Sequence, residues 1–416
     1  MSDQEVAIKE TSADAFGRLR VSNPNTIFDS KLLQSDKAPL FWEESLESGA
    51  GITATTPNPD QPYIDFQSTT DTAGKYTRQT YQRFNYQPGK SQLILMTGVL
   101  RVSGGGTGVE TRVGYFDDNN GIFFEENDGT IGVTVRSKVS GSVVDNTITQ
   151  ANWNIDNVSG SGNNPSKLNV DWTKAQIFVI DFQWLGVGRV RVGIEIDGVV
   201  VYVHQFVEHA NITAKPYMST PNLPLRYQMI TTGSSPATRM RCICSAVLSE
   251  GGTDDIGIVH RASTGGAALT TDTENALFAM LAIRLKATHI GATVKFLAAQ
   301  LQIQSASEYL EWQLLFNPTV AGAALSFSNI ANSACQFALG VTANTVTGGT
   351  QITGGYSETG GGNTGGASDS GALASALKLG INIAGDSLDE MILCVRPIGA
   401  VSAINVEGGL TWREIY

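Results

Sequence analysis

Charged side chains are scarce in this chain. Only 16% of its 416 residues are Asp, Glu, Lys or Arg, and histidine and cysteine occur four times each. The formal net charge is −11, and neither lysine nor arginine occurs between Lys295 and Lys378. Proteins bind nucleic acids mainly through basic side chains that neutralise phosphates. We therefore expect no nucleic-acid partner.

The few cysteines lack the pattern of a disulfide framework or a zinc site. Cys242 and Cys244 are two positions apart, which places both on one face of a strand, and no second pair has metal-ligand spacing. We predict free thiols, no structural metal and no cofactor. Long apolar runs are also missing, so we expect no membrane span. The first residues, MSDQEVAIKE, lack the apolar segment of a secretory signal, which predicts synthesis in the cytoplasm of the producing cell.

What the chain has in abundance is glycine, with 45 copies, and short runs in which apolar and polar residues alternate. The segment Leu168–Phe206 shows the pattern best. Phe178, Ile180 and Phe182 share one face of a predicted strand, and Asp197-Gly198 supplies the two positive-φ residues of a tight hairpin. Such a meander buries one face and exposes the other, as antiparallel sheets do.

The pattern along the chain predicts an all-β protein, with an extended arm followed by two antiparallel β-sandwiches. Residues 1–35 are too polar to form a core, so we expect them to lie as a docking arm on their own body or on a neighbouring subunit. Residues 36–250 form a predicted first sandwich and 251–271 a linker. Residues 272–416 form a predicted second, jelly-roll-like sandwich with a Gly-rich loop over 344–370.

A group of acidic residues is the main candidate for chemistry. Asp117, Asp118 and Asp128 could bind Ca²⁺, and with Glu125 and Glu126 they could supply the acid and base of glycoside hydrolysis. Acidic residues beside hairpin turns more often only stabilise those turns in water. The sequence has neither a G-x-S-x-G nor an H-E-x-x-H motif, and we predict no catalytic residues.

Two tryptophans are candidates for carbohydrate contact. Trp153 and Trp172 border a predicted loop at 157–166, and an aromatic ring can stack on the C–H face of a sugar. Arg189 and Arg191 lie on the polar face of the predicted meander, where we expect cross-strand or inter-subunit contacts.

Several segments resemble virion structural proteins of tailed bacteriophages. They are ADAFGRLRVSNPNTIFDSK at 13–31, QANWNID at 150–156, IDFQWLGVGRVRVGIEIDG at 180–198, NLPLRY at 222–227 and GGLTWREIY at 408–416. The resemblance implies a virion component, either a head decoration or fibre or a part of the tail or baseplate. Separately, the meander resembles the sheets of concanavalin-like lectin sandwiches, a likeness of fold that does not give function.

We therefore predict a non-enzymatic structural protein of a phage particle that binds other virion proteins and copies of itself. The expected contact residues are Phe16, Arg18, Leu19, Arg20, Ile27 and Phe28 of the arm, with Arg189 and Arg191. The alternative is a virion module that binds glycans of the host surface through Trp153 and Trp172.

Overall fold

The computed structural model describes residues 23–33, 35–49, 51–104, 106–206, 210–254, 256–303, 309–358, 378–399 and 403–416. The predicted contact residues Phe16, Arg18, Leu19 and Arg20 lie outside these ranges, as does the stretch 359–370 of the Gly-rich segment. The described elements are strands and two 3₁₀ turns, Gln150–Asn152 and Ala287–His289. The predicted all-β fold class is confirmed. None of the described helices has the length and apolar character needed to cross a membrane.

The first half of the chain forms two large sheets. Its strands are β1 (Pro24–Ser30), β2 (Trp42–Ser48), β3 (Ile52–Ala54), β4 (Ile64–Ser68), β5 (Gly74–Thr80), β6 (Ser91–Ser103), β7 (Val109–Phe116), β8 (Gly121–Asn127), β9 (Thr130–Ser137), β10 (Val144–Thr149), β11 (Gln176–Phe182), β12 (Val190–Ile196), β13 (Val199–Phe206), β14 (Leu225–Thr231) and β15 (Arg239–Glu250). One sheet runs β13-β12-β11-β6-β15-β4-β3, with β1 also on β15, and the other runs β10-β9-β8-β7-β14-β5-β2. Phe66, Phe124 and Phe178 belong to the core between them.

The second half forms a smaller pair of sheets. Its strands are β16 (Ile258–Ser263), β17 (Leu269–Thr271), β18 (Phe278–Leu285), β19 (Thr293–Ile303), β20 (Tyr309–Phe316), β21 (Thr319–Val320), β22 (Ser328–Asn329), β23 (Cys335–Leu339), β24 (Val346–Thr347), β25 (Thr350–Glu358), β26 (Glu390–Ile398) and β27 (Ile404–Ile415). Strands β16, β17 and β19 all pair with β27, and the larger sheet runs β22-β23-β18-β26-β20-β25. Phe278 and Trp412 are fully buried between the two sheets.

The predicted meander is present as β11, β12 and β13. Asp197 and Gly198 have φ values of 54° and 78°, as the hairpin requires. Phe178, Ile180 and Phe182 are at most 2% exposed because this face of β11 packs on the opposite sheet. The period-two pattern predicts these strands because the middle strand β12 pairs with β11 and β13, its neighbours in sequence.

Two predicted irregular segments contain strands. Strands β16 and β17 lie inside the predicted linker 251–271 because both pair with the C-terminal strand β27. Strand β25 lies inside the predicted loop 344–370 because it pairs with β20. In both cases the stabilising partner is distant in sequence, and local composition does not reveal it.

The described end of the arm lies on its own body. Strand β1 pairs with β15 along six residue pairs, from Pro24 opposite Glu250 to Ser30 opposite Ser245. Phe28 is 8% exposed, with its ring centroid 5.2 Å from that of Phe84. The side chain of Phe28 is therefore part of the core of its own sandwich.

The cysteines are free thiols, three of them buried. Burial raises the thiol pKa of each of the four, most strongly for Cys242, Cys335 and Cys394. A raised pKa keeps the thiol protonated and unreactive at neutral pH. The cysteines therefore serve as small apolar side chains in the sheets.

Candidate ligand site at the junction of the two sandwiches

The two tryptophans predicted to stack on sugars are buried. Trp153 is 2% exposed and Trp172 8% exposed, and their rings meet edge to face with centroids 5.9 Å apart. The indole N–H of Trp153 donates to the carbonyl of Ile148 at 3.0 Å. Neither ring has a free face for a ligand, so the structure corrects this prediction: both residues close one end of the first core.

The acidic residues predicted to bind Ca²⁺ point to separate partners. Asp117 accepts from Arg83 at 2.6 Å, and Asp118 accepts from Arg226 at 2.6 Å. Asp128 accepts the backbone N–H of Gly108 at 2.7 Å. Among the residues that the structure describes, no group of three or more His, Cys, Asp or Glu side chains is arranged to hold a metal ion. The structure therefore does not bring these three candidate residues together around one site.

Glu125 and Glu126 lie on opposite faces of β8, as successive residues of a strand do. Glu125 accepts a hydrogen bond from Thr147 at 3.0 Å on the outer face of its sheet. Glu126 forms an ion pair with Arg101 at 2.8 Å, and burial raises the pKa of its carboxyl group. These two carboxylates, on opposite faces of one strand, therefore cannot act together on one glycosidic bond.

Arg189 and Arg191, predicted to form a contact surface on the polar face of the meander, differ in their surroundings, because one of them makes its contacts within its own sheet. The guanidinium of Arg191 donates to Asp181 and lies over the ring of Tyr202, 4.1 Å from its centroid. Arg189, just before β12, is exposed. Of the two arginines, Arg189 therefore has the more exposed side chain, while Arg191 is 26% exposed and paired within its sheet.

A cavity lined by many polar residues lies where the two sandwiches meet, and we call it the junction cleft. Its volume is about 420 Å³. The first sandwich contributes Arg83, Asp117, Asn119, Asn120, Lys138, Ser219, Thr220 and Asn222, and the second contributes Ala287–Ala292 and Tyr416. Ligand sites commonly have 300–1,000 Å³ and often lie between domains.

The wall from the first sandwich is held in place by its own hydrogen bonds. The carboxylate of Asp117 accepts the backbone N–H groups of Asn119 and Asn120, each at 2.8 Å. The side-chain oxygen of Asn120 accepts the N–H and O–H of Ser219, at 2.9 and 3.0 Å. Lys138 donates to the side-chain oxygen of Asn119 at 2.9 Å. The polar groups of this wall are therefore fixed before any ligand arrives.

The second wall joins the first through one direct contact. The side-chain amide of Asn222 donates to the carbonyl of Gly291 at 2.9 Å, which ties the loop before β14 to the turn before β19. Tyr416 is 55% exposed, and its hydroxyl donates to Glu414 at 2.5 Å. Burial and the neighbouring carboxylate raise the pKa of Tyr416 to about 12. The cleft thus has an exposed aromatic residue that is neutral at physiological pH.

A second contact between the sandwiches contains two acidic side chains. Glu43 on β2 accepts the backbone N–H of Ile383 at 2.8 Å, and Asp389 accepts the side-chain amide of Asn317 at 2.7 Å. Burial raises the pKa of Asp389 to about 6, against hydrogen bonds from Asn317 and Gly380 that lower it. The pKa of Glu43 is also raised, by burial and then by the charges of Asp389 and Asp386, although Ile383 and Arg226 oppose the shift.

This contact predicts a pH-dependent stability. In the folded protein the pKa of Asp389 is above its ordinary value of 3.8. The stabilising contribution of the protonated carboxyl group to the unfolding free energy is therefore fully present below pH 3.8 and is lost as the pH rises through about 6. The loss should amount to roughly 1–3 kcal/mol of unfolding free energy. We expect Asp389→Asn to remove this component in denaturant unfolding between pH 4 and 7.5. Asp386→Asn, at an exposed neighbour, should keep it; identical pH profiles for wild type and Asp389→Asn would contradict the assignment.

Comparisons with known proteins give similarity of shape only. Neither a protein-family model nor a curated protein matches the chain. An endo-1,3-beta-glucanase from Streptomyces sioyaensis is 10% identical, with 56% of this chain and 99% of that chain covered at a TM-score of 0.38. The CBM2 module of the evolved Dit of Lactobacillus casei BL23 phage J-1 is 8% identical, with 56% and 100% covered at 0.35. The Emp47p carbohydrate recognition domain is 10% identical, with 58% and 100% covered at 0.31. Similarity at this level carries no argument about function.

Sequence reasoning missed the junction cleft. Its residues come from six separate segments, and its tyrosine lies in the motif GGLTWREIY, which carried only a family resemblance. Asp117 was singled out for its charge, whereas its role here is to hold Asn119 and Asn120. The one usable signal was the density of Asn and Asp in DDNN at 117–120, which is typical of an exposed turn.

Proposed function

We propose that this protein is a non-enzymatic structural component of a tailed-bacteriophage particle and that it binds carbohydrate of the host surface in the junction cleft. The observation that carries the carbohydrate part is the cleft itself, where held amide, hydroxyl and ammonium groups face an exposed tyrosine. The resemblance of the arm and of the segments at 180–198 and 408–416 to virion proteins supports the particle part.

The polar wall suits a sugar because each hydroxyl of a sugar both donates and accepts hydrogen bonds. Asn119, Ser219 and Thr220 offer both kinds of partner, and Lys138 offers donors only. Since the wall is already ordered by Asp117 and Asn120, binding costs less conformational entropy than it would on a mobile loop. The ring of Tyr416 supplies the apolar surface on which a sugar ring stacks.

A glycan array with the purified full chain tests the proposal. We expect binding to bacterial surface saccharides without release of reducing ends. Tyr416→Ala should weaken binding about tenfold, the factor that corresponds to 1.4 kcal/mol. Tyr416→Phe should keep most of the affinity, because it loses the hydroxyl bond to Glu414 but retains the ring.

The matched control is Tyr356→Ala on β25, since Tyr356 is 79% exposed and lies outside the cleft. It should leave the affinity unchanged. An array without signal, or equal losses in both alanine variants, would remove the carbohydrate proposal. Mass spectrometry of purified particles of the encoding phage tests the particle location separately.

A further inference from the structure

A second cavity at the junction borders strand β1, and we call it the β1 groove. Its volume is about 460 Å³. It is lined by Asn25–Asp29 of β1, by Leu40, Phe41, Tyr81, Gln82, Asn85, Gln87, Thr253 and Asp254, and by Thr293, Lys295, Lys378 and Ile415. Its walls therefore come from the first sandwich, the start of the linker and the second sandwich.

One side of the groove is the edge of a sheet. Among the described strands, β15 is the only one that pairs with β1, so the other edge of β1 faces the groove through residues 25–29. The N–H and C=O groups along such an edge form a template for a further strand. The groove is therefore suited to an extended segment of polypeptide.

Apolar side chains are uncovered beside this edge. Leu40 is 47% exposed and Phe41 50% exposed, and the ring of Phe41 lies 6.0 Å from that of the core residue Phe28. Exposed apolar groups clustered in a concave site mark interaction surfaces more often than isolated ones do. An occupant of the groove should bring apolar side chains at the spacing of a strand.

The arm contains a segment of that kind. In residues 18–21, RLRV, arginine alternates with leucine and valine, so a strand would place Leu19 and Val21 on one face and both arginines on the other. Asp29 and Asp254 line the groove on the side of the first sandwich. The charge of Asp29 complements the basic face of the segment, whereas Asp254 already forms an ion pair with Lys90 at 2.7 Å.

The chain's own arm is poorly placed to fill the groove. It would have to reverse direction between Val21 and Pro24, and a two-residue hairpin there needs positive φ at both Ser22 and Asn23. Serine disfavours that conformation, and Pro24 has no N–H to donate across the closing pair. The arm of another molecule reaches the same edge without any turn.

We propose that residues 18–21 of a second copy add as a strand to β1 and cover Leu40 and Phe41. The contact is heterologous, because the arm of one molecule meets the groove of the next, and it builds rings or longer assemblies. It is independent of carbohydrate binding in the junction cleft.

Complementation between two full-length variants tests the proposal. The arm variant is Leu19→Asp/Val21→Asp, and the groove variant is Leu40→Asp/Phe41→Asp. By light scattering after size-exclusion chromatography, the wild type should exceed the monomer mass of 44.2 kDa, whereas each variant should return to it. An equimolar mixture should recover a species of twice the monomer mass, because the arm variant keeps a groove and the groove variant keeps an arm. Val199→Asp, at an apolar residue that is 63% exposed on the hairpin between β12 and β13, should assemble like the wild type.

A labelled peptide of residues 13–22 gives an independent measurement. It should bind the arm variant, whose groove is intact, and should fail to bind the groove variant, with circular dichroism showing that both are folded. Two outcomes would assign the groove to the chain's own arm and overturn the proposal. The first is a wild type that is monomeric. The second is a mixture of the two variants that stays monomeric although the peptide binds the arm variant. Variants that all keep the assembled mass would also overturn it.

Discussion

Glu414→Ala should lower the unfolding free energy of the protein by about 3–5 kcal/mol, since each buried donor left without an acceptor costs about 1–3 kcal/mol. Glu414 on β27 has no solvent exposure. Its carboxylate accepts the indole N–H of Trp412 at 2.8 Å, the backbone N–H of Ala334 at 2.7 Å and the hydroxyls of Ser333 and Tyr416. The substitution leaves buried donors without an acceptor and opens a cavity beside Trp412.

The same carboxylate predicts an acid transition. Burial raises its pKa, but the hydrogen bonds from Ser333, Tyr416, Ala334 and Trp412 prevail and lower it to about 2. The contribution of Glu414 is therefore present above its ordinary pKa of 4.5 and is lost as the pH falls through about 2. Urea unfolding from pH 7 to 3 should show this loss in the wild type and in Glu274→Gln, an exposed control, but not in Glu414→Ala. A Glu414→Ala protein as stable as the wild type at pH 7 would refute the role of the network.

Arg83→Met should destabilise the protein by about 3 kcal/mol or more, because it leaves the charge of Asp117 buried without its partner. Both side chains are 9% exposed, and their N–O distance is 2.6 Å. Asp117 also holds the backbone of Asn119 and Asn120, so its displacement should distort the junction cleft. Chemical denaturation measures the first effect, and saccharide affinity measures the second.

A double variant separates charge from shape in this pair. Arg83→Met/Asp117→Asn should recover part of the lost stability, since the asparagine keeps an oxygen that can accept the two backbone N–H groups without a buried charge. Arg189→Met, at an exposed arginine, should change stability by less than about 0.5 kcal/mol. If the two arginine substitutions had equal effects, the Arg83–Asp117 pair would not be a structural element of the cleft.

Strands were predictable from the sequence when their pairing partners lie close to them along the chain, and were not when the partners lie far away. The hairpin at Asp197-Gly198 and the alternation of Phe178, Ile180 and Phe182 were sufficient for β11–β13, because those strands are adjacent in sequence. Strand β16 was missed because its partner, β27, lies about 150 residues further on. A short strand with a distant partner gains its stability from tertiary contacts, and local propensity does not record those.

The candidate site was less predictable for a related reason. Trp153 and Trp172 beside a loop gave the sequence pattern of an exposed platform, but the loop folds so that both rings close the core. In the junction cleft, Asn119 and Tyr416 are separated by almost 300 residues and meet only because the two sandwiches pack together. The types and spacing of residues in a sequence indicate a site when the residues that form it lie in one segment of the chain. The residues of the junction cleft come from separate segments, so no local pattern indicates them.

The pairing of β1 with β15 also has a mechanical consequence. Pro24 stands opposite Glu250, so the arm leaves the first sandwich at the point where the chain passes on to the second. Because the arm enters β1 and the chain leaves β15 at the same end of this antiparallel ladder, tension between the arm and the second sandwich acts first on the pair Pro24–Glu250. A protein tethered by its arm would thus open this ladder one pair at a time, starting beside the joint.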